Sequence, residues 1–288
     1  MITAFMILAE PELLQYPYAE SLRSLARFCD RIIINFAAGT RPGVRQMERA
    51  SLQKIFDISQ KYEQCTIEVM LDESWPEQRN LTYEDLRIRF QHALDKCKSG
   101  WFLRFDGDNV FSHSAADAVK KKLTEMSERC HIAYFPRVDV VNRENFYVNS
   151  GSRDLYALNV DLLNRDQLGY RISRNKRAWC RAEIDGSPVI DVISDTSMMP
   201  INYDATFFTR ARIVDFWRKT CETYRNAGLE STDVDIMSDD DIIRHYKAYI
   251  LYKRRRTDRT FTHPEDIRDR VSRMTPDHWG FDNFGGLS

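Results

Sequence analysis

Two carboxylates, Asp106 and Asp108, stand one residue apart at the end of the apolar run Trp101-Phe-Leu-Arg-Phe, with Gly107 between them and Asn109 after. Two hard oxygen donors this close suit Mg²⁺ or Mn²⁺, ions that usually fill their remaining positions with water and substrate phosphates. Gly107 permits a sharp backbone turn between the acids. The chemistry expected of the triplet is therefore that of a metal–diphosphate site. Asp-Gly is also a common turn dipeptide, so the triplet alone favours a plain surface turn. The apolar strand in front of it changes that, because in open α/β sheets ligands bind outside the carboxyl ends of the strands. A calcium-binding EF-hand loop starting at Asp106 would need Gly and Glu where Phe111 and Asp117 stand, and it fails.

A strand that ends in such a pair needs a sheet to belong to. Four of the cysteines, Cys29, Cys65, Cys97 and Cys130, recur about every 33 residues, each just ahead of an apolar run at 31–36, 66–71, 101–106 and 131–136. Each marks a helix-to-strand junction. Between the runs lie helical stripes: Leu86, Phe90, Ala93, Leu94 and Cys97 in one, Ala116, Val119, Leu123 and Met126 in the next. Thr82-x-x-Asp85 and Ser114-x-x-Asp117 approximate capping boxes at their starts. With residues 3–9 as a first strand, the N-terminal half alternates strand and helix through five strands, which predicts βαβ crossovers and a mostly parallel sheet. After residue 136 the alternation stops. The pattern there predicts a hairpin over 138–148 and short extended pieces at 155–160, 170–173 and 182–185. A helix follows, carrying Ile213, Trp217, Cys221 and Tyr224 and ended by Gly228, then helices at 239–253 and 264–274, and an aromatic tail that docks on the body.

The 288 residues are 43% hydrophobic and 30% charged, which excludes a disordered, fibrous or low-complexity chain. A formal net charge of −1 provides no global field for nucleic acid or an anionic membrane. The apolar stretch at 4–9 is far shorter than the roughly 18 residues a membrane span needs, and no C-x-x-C pair suggests zinc or a redox centre. A cytoplasmic protein with reduced thiols and no transmembrane segment is expected.

The order of these features resembles the family 2 glycosyltransferases with their GT-A fold. The resemblance runs through the opening strand, Tyr18-Ala-Glu-Ser-Leu-Arg-Ser-Leu25, Asp30-Arg-Ile-Ile-Ile-Asn35, Gln91-His-Ala-Leu94 and Ser99-Gly-Trp-Phe-Leu-Arg-Phe-Asp106-Gly-Asp108, the last similar to the family's DxD motif. Weaker echoes are Arg171–Arg174, Trp179–Glu183, Ile201-Asn-Tyr203 with Lys219, and His263-Pro264. It implies an α/β chain with a GT-A-type, Rossmann-like, mostly parallel sheet and flanking helices over residues 1–136, binding the nucleotide-sugar. A mixed β/α acceptor-side half over 137–288 would complete one continuous domain.

The implied activity is transfer of a hexosyl or pentosyl group from a nucleotide-diphosphate sugar, a UDP-sugar preferred, to an acceptor hydroxyl, with inversion and with Mn²⁺ or Mg²⁺. Asp106, Gly107 and Asp108 would contact ribose, diphosphate and metal. Ala9, Glu10 and Asn35 would frame the nucleoside, and Glu183, with Asp185 as its rival, would take the acceptor's proton. The acceptor would be a glycan or a lipid-linked sugar, with a hydroxylated DNA base less favoured by the neutral charge. Asn35 stands where the family has Asp, Asn109 where it often has Glu, and Asn202 where it often has His, so no third protein ligand is assigned. Arg104, inside a strand, requires a polar partner or an exposed face.

A haloacid-dehalogenase-type phosphatase is the alternative. Its strand-borne Asp-x-Asp-x-Val matches Asp106, Asp108 and Val110, with Asp106 as nucleophile and Asp239-Asp240 as a later acidic motif, but its nucleophile normally lies on the first strand. Other charged groups have plain readings too. Lys253–Arg256 closes a helix that opens on Asp239–Asp241, which matches the helix dipole. Arg171, Arg174, Lys176, Arg177 and Arg181 are equally a solvated loop or a cradle for an anionic acceptor. His245 and His263 are read as helix-face or capping residues rather than ligands.

Overall fold

The structure is a computed structural model and describes residues 1–9, 15–37, 42–72, 83–171, 181–226, 233–253 and 261–284. The predicted alternation is present: β1 (Ile2–Ala9), α1 (Tyr18–Ala26), β2 (Arg31–Ala37), α2 (Pro42–Lys61), β3 (Thr66–Asp72), α3 (Tyr83–Lys96) and β4 (Trp101–Arg104). A short β5 (Asn109–Val110) precedes α4 (His113–Met126) and β6 (Ile132–Phe135). The second half holds β7 (Arg137–Val140), β8 (Phe146–Asn149), β9 (Leu155–Asn159), β10 (Leu168–Arg171), β11 (Arg181–Ile184), β12 (Ile190–Val192) and β13 (Ile201–Asn202). It ends with α5 (Arg210–Asn226), α6 (Asp239–Lys253), α7 (Arg268–Ser272) and α8 (Trp279–Asp282).

The principal sheet has seven strands in the order β12-β6-β9-β4-β1-β2-β3. Every neighbouring pair is parallel except those of β9, which runs antiparallel between β4 and β6. Ile32 and Ile34 of β2 turn to one face with Met6, Leu8 and Leu103, where α1, α2 and α4 cover them. Phe5, Ile33 and Phe102 turn to the other, where Phe90, Ala93 and Leu94 of α3 pack. Burial on both faces is why these strands read as continuous apolar runs rather than alternations.

Successive units β1-α1-β2-α2-β3 step outward in one direction, and β4 then returns to the opposite side of β1. The strand order therefore reverses between β1 and β4, and a crevice opens beyond their carboxyl ends. Asp106 follows β4 at that crevice.

A second sheet, β5-β13-β7-β8, contains the predicted hairpin as β7–β8. Two further clusters complete the core: Trp217, Ile242, Tyr246, Trp279 and Phe284 around α5 and α6, and Val138, Phe146, Tyr203 and Ile267 around the second sheet. The aromatic tail docks as expected, through Trp279 and Phe284. Three details differ from the sequence reading. The cap of α4 is Ser112, whose side chain accepts from the Ala115 N–H at 3.1 Å, rather than Ser114. β4 stops at Arg104, two residues short of Asp106. The predicted helix at 264–274 is a 3-10 turn followed by the short α7. Thr82 and Gly228 lie outside the described residues. Among the described residues no helix is long and apolar enough to cross a membrane.

Candidate functional site

Phe105 continues the hydrogen bonding of β4 to β1, its N–H meeting Phe5 O at 3.0 Å, before the chain turns. The turn is Asp106-Gly107-Asp108, closed by Asn109 N–H to Asp106 O at 3.1 Å, and it carries the chain from the first sheet into β5 of the second. Gly107 is required here by space rather than by φ. A Cβ at that position would lie 3.0 Å from Leu8 Cδ2 and 3.5 Å from Tyr18 Cβ, so any larger residue would press on β1 and α1.

Asp108 is held from the second sheet. Its carbonyl accepts from Tyr203 N–H at 2.8 Å, and its carboxylate accepts from Asn109 Nδ2 at 2.7 Å. Asn109 Oδ1 in turn accepts from Asn202 Nδ2 at 3.3 Å, both residues being buried. The two asparagines that depart from the family pattern therefore form an amide relay that orients Asp108.

Burial raises the Asp108 carboxyl to about 7; the charges of Asp106 and Asp204 add to the rise, while Arg137 and a hydrogen bond from Asn202 oppose it. Asp204 opens the 3-10 turn Asp204–Phe207 after β13, and its N–H donates to Asn202 Oδ1 at 3.3 Å. Burial, Asp204 and Asp108 together also push the Tyr16 phenol well above its ordinary value, against the pull of Arg212.

The two cations nearby, Arg137 and Arg104, are shared among several acids. Arg137 sits at 2.9 Å from Asp139 and 3.6 Å from Asp154. Burial works against its charge, but Asp139, Asp154, Asp108 and Asp204 outweigh that and hold it protonated. Arg104 finds the partners its place in β4 demands, the Asp154 carbonyl at 3.0 Å and Asp106 Oδ1 at 3.4 Å. Asp154 itself is raised, by burial first, with Arg137 and Arg104 pulling it down.

Two hard oxygen donors side by side, one of them kept protonated to near neutrality by its burial, form a pair that a divalent cation fits. Asp106 and Asp108 are the residues that could hold it. Among the described residues no group of three or more His, Cys, Asp or Glu side chains is arranged as a metal site.

Beside the turn lies a cleft of about 420 Å³, open to solvent and lined by Phe5, Ile7, Leu86, Phe90, Arg104 and Asp106 among others. Asn35 stands on β2 opposite Ile7 and so projects to the same face of the sheet. It is 4% exposed, and among the described residues its Oδ1 has no hydrogen-bond partner. A buried acceptor left without a donor costs about 1–3 kcal/mol.

The remaining predicted site residues are placed as follows. Ala9 ends β1, and Glu10 lies outside the described residues. Glu183 is on β11 opposite Gly169, in an antiparallel pair with β10, and its side chain is not described. Asp185 follows it, exposed, with its N–H on Gln167 O at 2.8 Å. Leu168 and Ile184 of this pair pack against the cluster that includes Phe5, Ile7 and Phe90, which sets the β10–β11 pair beside the cleft. Residues 174–177 of the basic cluster lie outside the description, as do Arg254–Arg256.

Asp239 and Asp240 pair with Arg218 and Arg210 in the first turn of α6, away from Asp106 in any contact the described residues make. His245 accepts from Trp217 Nε1 at 2.9 Å. His263 bridges Tyr203 OH at 2.8 Å and the Arg143 carbonyl at 3.0 Å. Sequence reasoning missed Asp204, Arg137 and Asp154. The one available signal for Asp204 was its position directly after Ile201-Asn-Tyr203.

No protein-family profile matches the chain, and no curated protein sequence does. Among solved structures it is similar to S. aureus TarS 1–349 in complex with UDP, at 13% identity and a TM-score of 0.43 over 85% of this chain and 70% of that one. The mannosyltransferase PcManGT from Pyrobaculum calidifontis, in complex with GDP-Man and Mn²⁺, is similar at 10% identity and a TM-score of 0.42 over 87% and 74% of the two chains. HddC from Yersinia pseudotuberculosis is similar at 14% identity and a TM-score of 0.39, over 71% of this chain and 94% of that one.

Proposed function

We propose that this chain is a metal-dependent glycosyltransferase of GT-A type that moves a sugar from a nucleotide-diphosphate sugar, a UDP-sugar foremost, to an acceptor hydroxyl with inversion. The observation that carries this reading is a carboxylate pair at the point where the strand order reverses, with Asp108 raised to about 7 by burial and two neighbouring acids. Such a pair serves a cation that is itself shared with an anionic ligand.

In this reading Asp106 and Asp108 hold Mn²⁺ or Mg²⁺, which when bound supplies Lewis-acid stabilisation to the departing diphosphate. Asn109 and Asn202 keep Asp108 aimed. Asn35 offers its acceptor to the nucleobase, over the apolar wall of Phe5, Ile7 and Phe90, and the nucleoside roles expected of Ala9 and Glu10 are kept as part of this proposal. The acceptor oxygen bonds to the anomeric carbon, the bond from that carbon to the diphosphate oxygen breaks with its electron pair, and a carboxylate takes the acceptor's proton. Glu183 and Asp185 are proposed for that proton, and Asp204 joins them because its charge already acts at Asp108. The half from residue 137 onward would receive the acceptor, a glycan or a lipid-linked sugar.

Thermal stability with UDP, GDP, CDP and ADP, each with and without Mn²⁺, tests the reading on the natural chain and on Asp108→Asn. A nucleotide at 100 times its dissociation constant stabilises by about 2.7 kcal/mol. A ligand-induced shift that needs the metal and is absent in the variant is expected. No shift with any nucleotide overturns the donor site, whereas phosphate release that forms a covalent Asp106 adduct without nucleotide would establish the phosphatase instead.

A further inference from the structure

A second hollow, of about 460 Å³ and open to solvent, lies between the C-terminal segment, the turn Asp204–Phe207 and the described end of the β1–α1 connection; among the described residues its lining is Gln15, Phe207, Arg270, Arg273, Met274 and His278. The polar side chains there present donors. Gln15 Oε1 already accepts from the Thr209 N–H at 3.3 Å, which leaves its amide nitrogen to donate. His278 Nδ1 accepts from the Thr275 N–H at 3.1 Å, which puts the proton of the neutral ring on Nε2.

Arg270 is fixed as a wall. It donates to Gln15 O at 2.7 Å and Tyr16 O at 3.3 Å, lies 3.5 Å from Glu20, and stacks with its guanidinium carbon 4.4 Å from the centre of the Phe207 ring. Glu20 is shared with Arg23 at 3.7 Å, so it answers two guanidiniums. Arg273 is exposed, tethered by Nε to the Asp269 carbonyl at 3.0 Å, which leaves the two terminal nitrogens of its fork. None of the described lining residues is acidic.

We infer that this hollow binds a phosphate group, held by Arg273, His278 and Gln15 against the Arg270 wall. Donor-only walls with two guanidiniums suit a tetrahedral oxyanion with several acceptor oxygens, which Arg can meet with two parallel hydrogen bonds. The place is distinct from the Asp106–Asp108 turn but linked to it. Phe207 closes the same 3-10 turn that Asp204 opens, and Tyr16, whose carbonyl Arg270 holds, is the phenol raised by burial first and then by Asp204 and Asp108. A phosphate carried by a larger molecule and free inorganic phosphate offer the same chemistry, and the two probes below separate them.

The test uses the full chain with EDTA present, which keeps metal-dependent anion binding at Asp106 and Asp108 out of the measurement. Inorganic phosphate and glycerol 3-phosphate are titrated at constant ionic strength against chloride and sulfate, following thermal midpoint and the His278 imidazole by ¹⁵N NMR. Saturable binding is expected that shifts the His278 signal, weakens at least tenfold in Arg273→Ala and in His278→Gln, and is unchanged in Asp108→Asn. Tighter binding of glycerol 3-phosphate assigns the site to a phosphorylated molecule, and tighter inorganic phosphate assigns it to the free anion. A chloride-like, unsaturable response, or a phosphate effect equal in the natural chain and Arg273→Ala, overturns the inference.

Discussion

Two acidic groups of this molecule, built from the same residue type, are in opposite electrostatic conditions. Asp266, just before α7, is almost enclosed and meets Arg23 of α1 at 3.5 Å, Arg27 at the end of that helix at 3.3 Å and His113 of α4 at 3.3 Å. Beside it burial pushes Glu265 up, but its own backbone N–H, the N–H and ring of His113, and Arg268 carry it below the usual carboxylate range. Asp108 has acids where Asp266 has bases, and it is raised to about 7. The first arrangement stabilises the fold by pinning the C-terminal segment across α1 and α4. The second costs stability, and that cost is the one the proposed cation would relieve.

Neutralising each acid separates the two conditions, and Asp108→Asn has the largest expected effect. A carboxyl raised from 3.8 to about 7 holds its proton more tightly in the folded chain than in the unfolded one. Its stabilising contribution is present below pH 3.8, is lost as pH rises toward 7, and leaves a full penalty above that. At 1.36 kcal/mol per pKa unit, spread over the neighbouring acids, the penalty is roughly 2–4 kcal/mol at pH 8. The metal-free variant is therefore expected to melt higher than the natural chain at pH 8 and together with it at pH 4, while sugar transfer falls by about 10³-fold or more. Denaturation at the two pH values checks the first and a transfer assay the second. A variant less stable at pH 8 would show that Asp108 is a structural acid like Asp266.

Asp266→Asn is the mirror experiment. Removing one partner of a buried ion pair costs about 3–5 kcal/mol when both charges are enclosed, and the partial exposure of Arg23, Arg27 and His113 reduces that to roughly 2 kcal/mol. A lower denaturation midpoint at pH 7 is expected, with transfer measured well below the transition nearly unchanged. Asp204→Asn falls between the two. It is expected to lower the Asp108 titration midpoint, followed by carboxyl ¹³C NMR, and to stabilise the metal-free chain by about 1 kcal/mol. If Asp204 takes the acceptor's proton, transfer drops 10²-fold or more; if Glu183 does, Glu183→Gln takes that loss instead.

The contrast also explains what could be read from residues alone. Strands β1 to β4 and β6 were legible because burial on both faces leaves unbroken apolar runs, and because Cys29, Cys65, Cys97 and Cys130 sit buried at the turn before each of β2, β3, β4 and β6. Asp106 and Asp108 were legible because sequence puts them together at a strand end. β9 was not placed, since a five-residue strand carries nothing that says it inserts antiparallel between β4 and β6. Asp204 lies far along the chain from Asp108 and is brought to it only by the pairing of β13 with β5, so no local pattern announces it. Asp266 reads as an ordinary exposed helix-start acid until α1 and α4 are folded against it.

Asn35 has the smallest expected effect and tests the side of the comparison that concerns the ligand. Its Oδ1 is buried without a partner, so Asn35→Ala removes an unsatisfied acceptor along with some packing, and the free chain should change by less than about 1 kcal/mol. Nucleotide affinity should fall about tenfold, the worth of one hydrogen bond in a dry site. Asn35→Asp distinguishes which half of the amide is used. A base that donates its ring N–H to Oδ1 retains that contact with a carboxylate, so binding of UDP by Asn35→Asp should exceed that by Asn35→Ala. If both variants bind as the natural chain does, the empty acceptor on β2 faces no ligand, and the donor must sit closer to β4 than proposed.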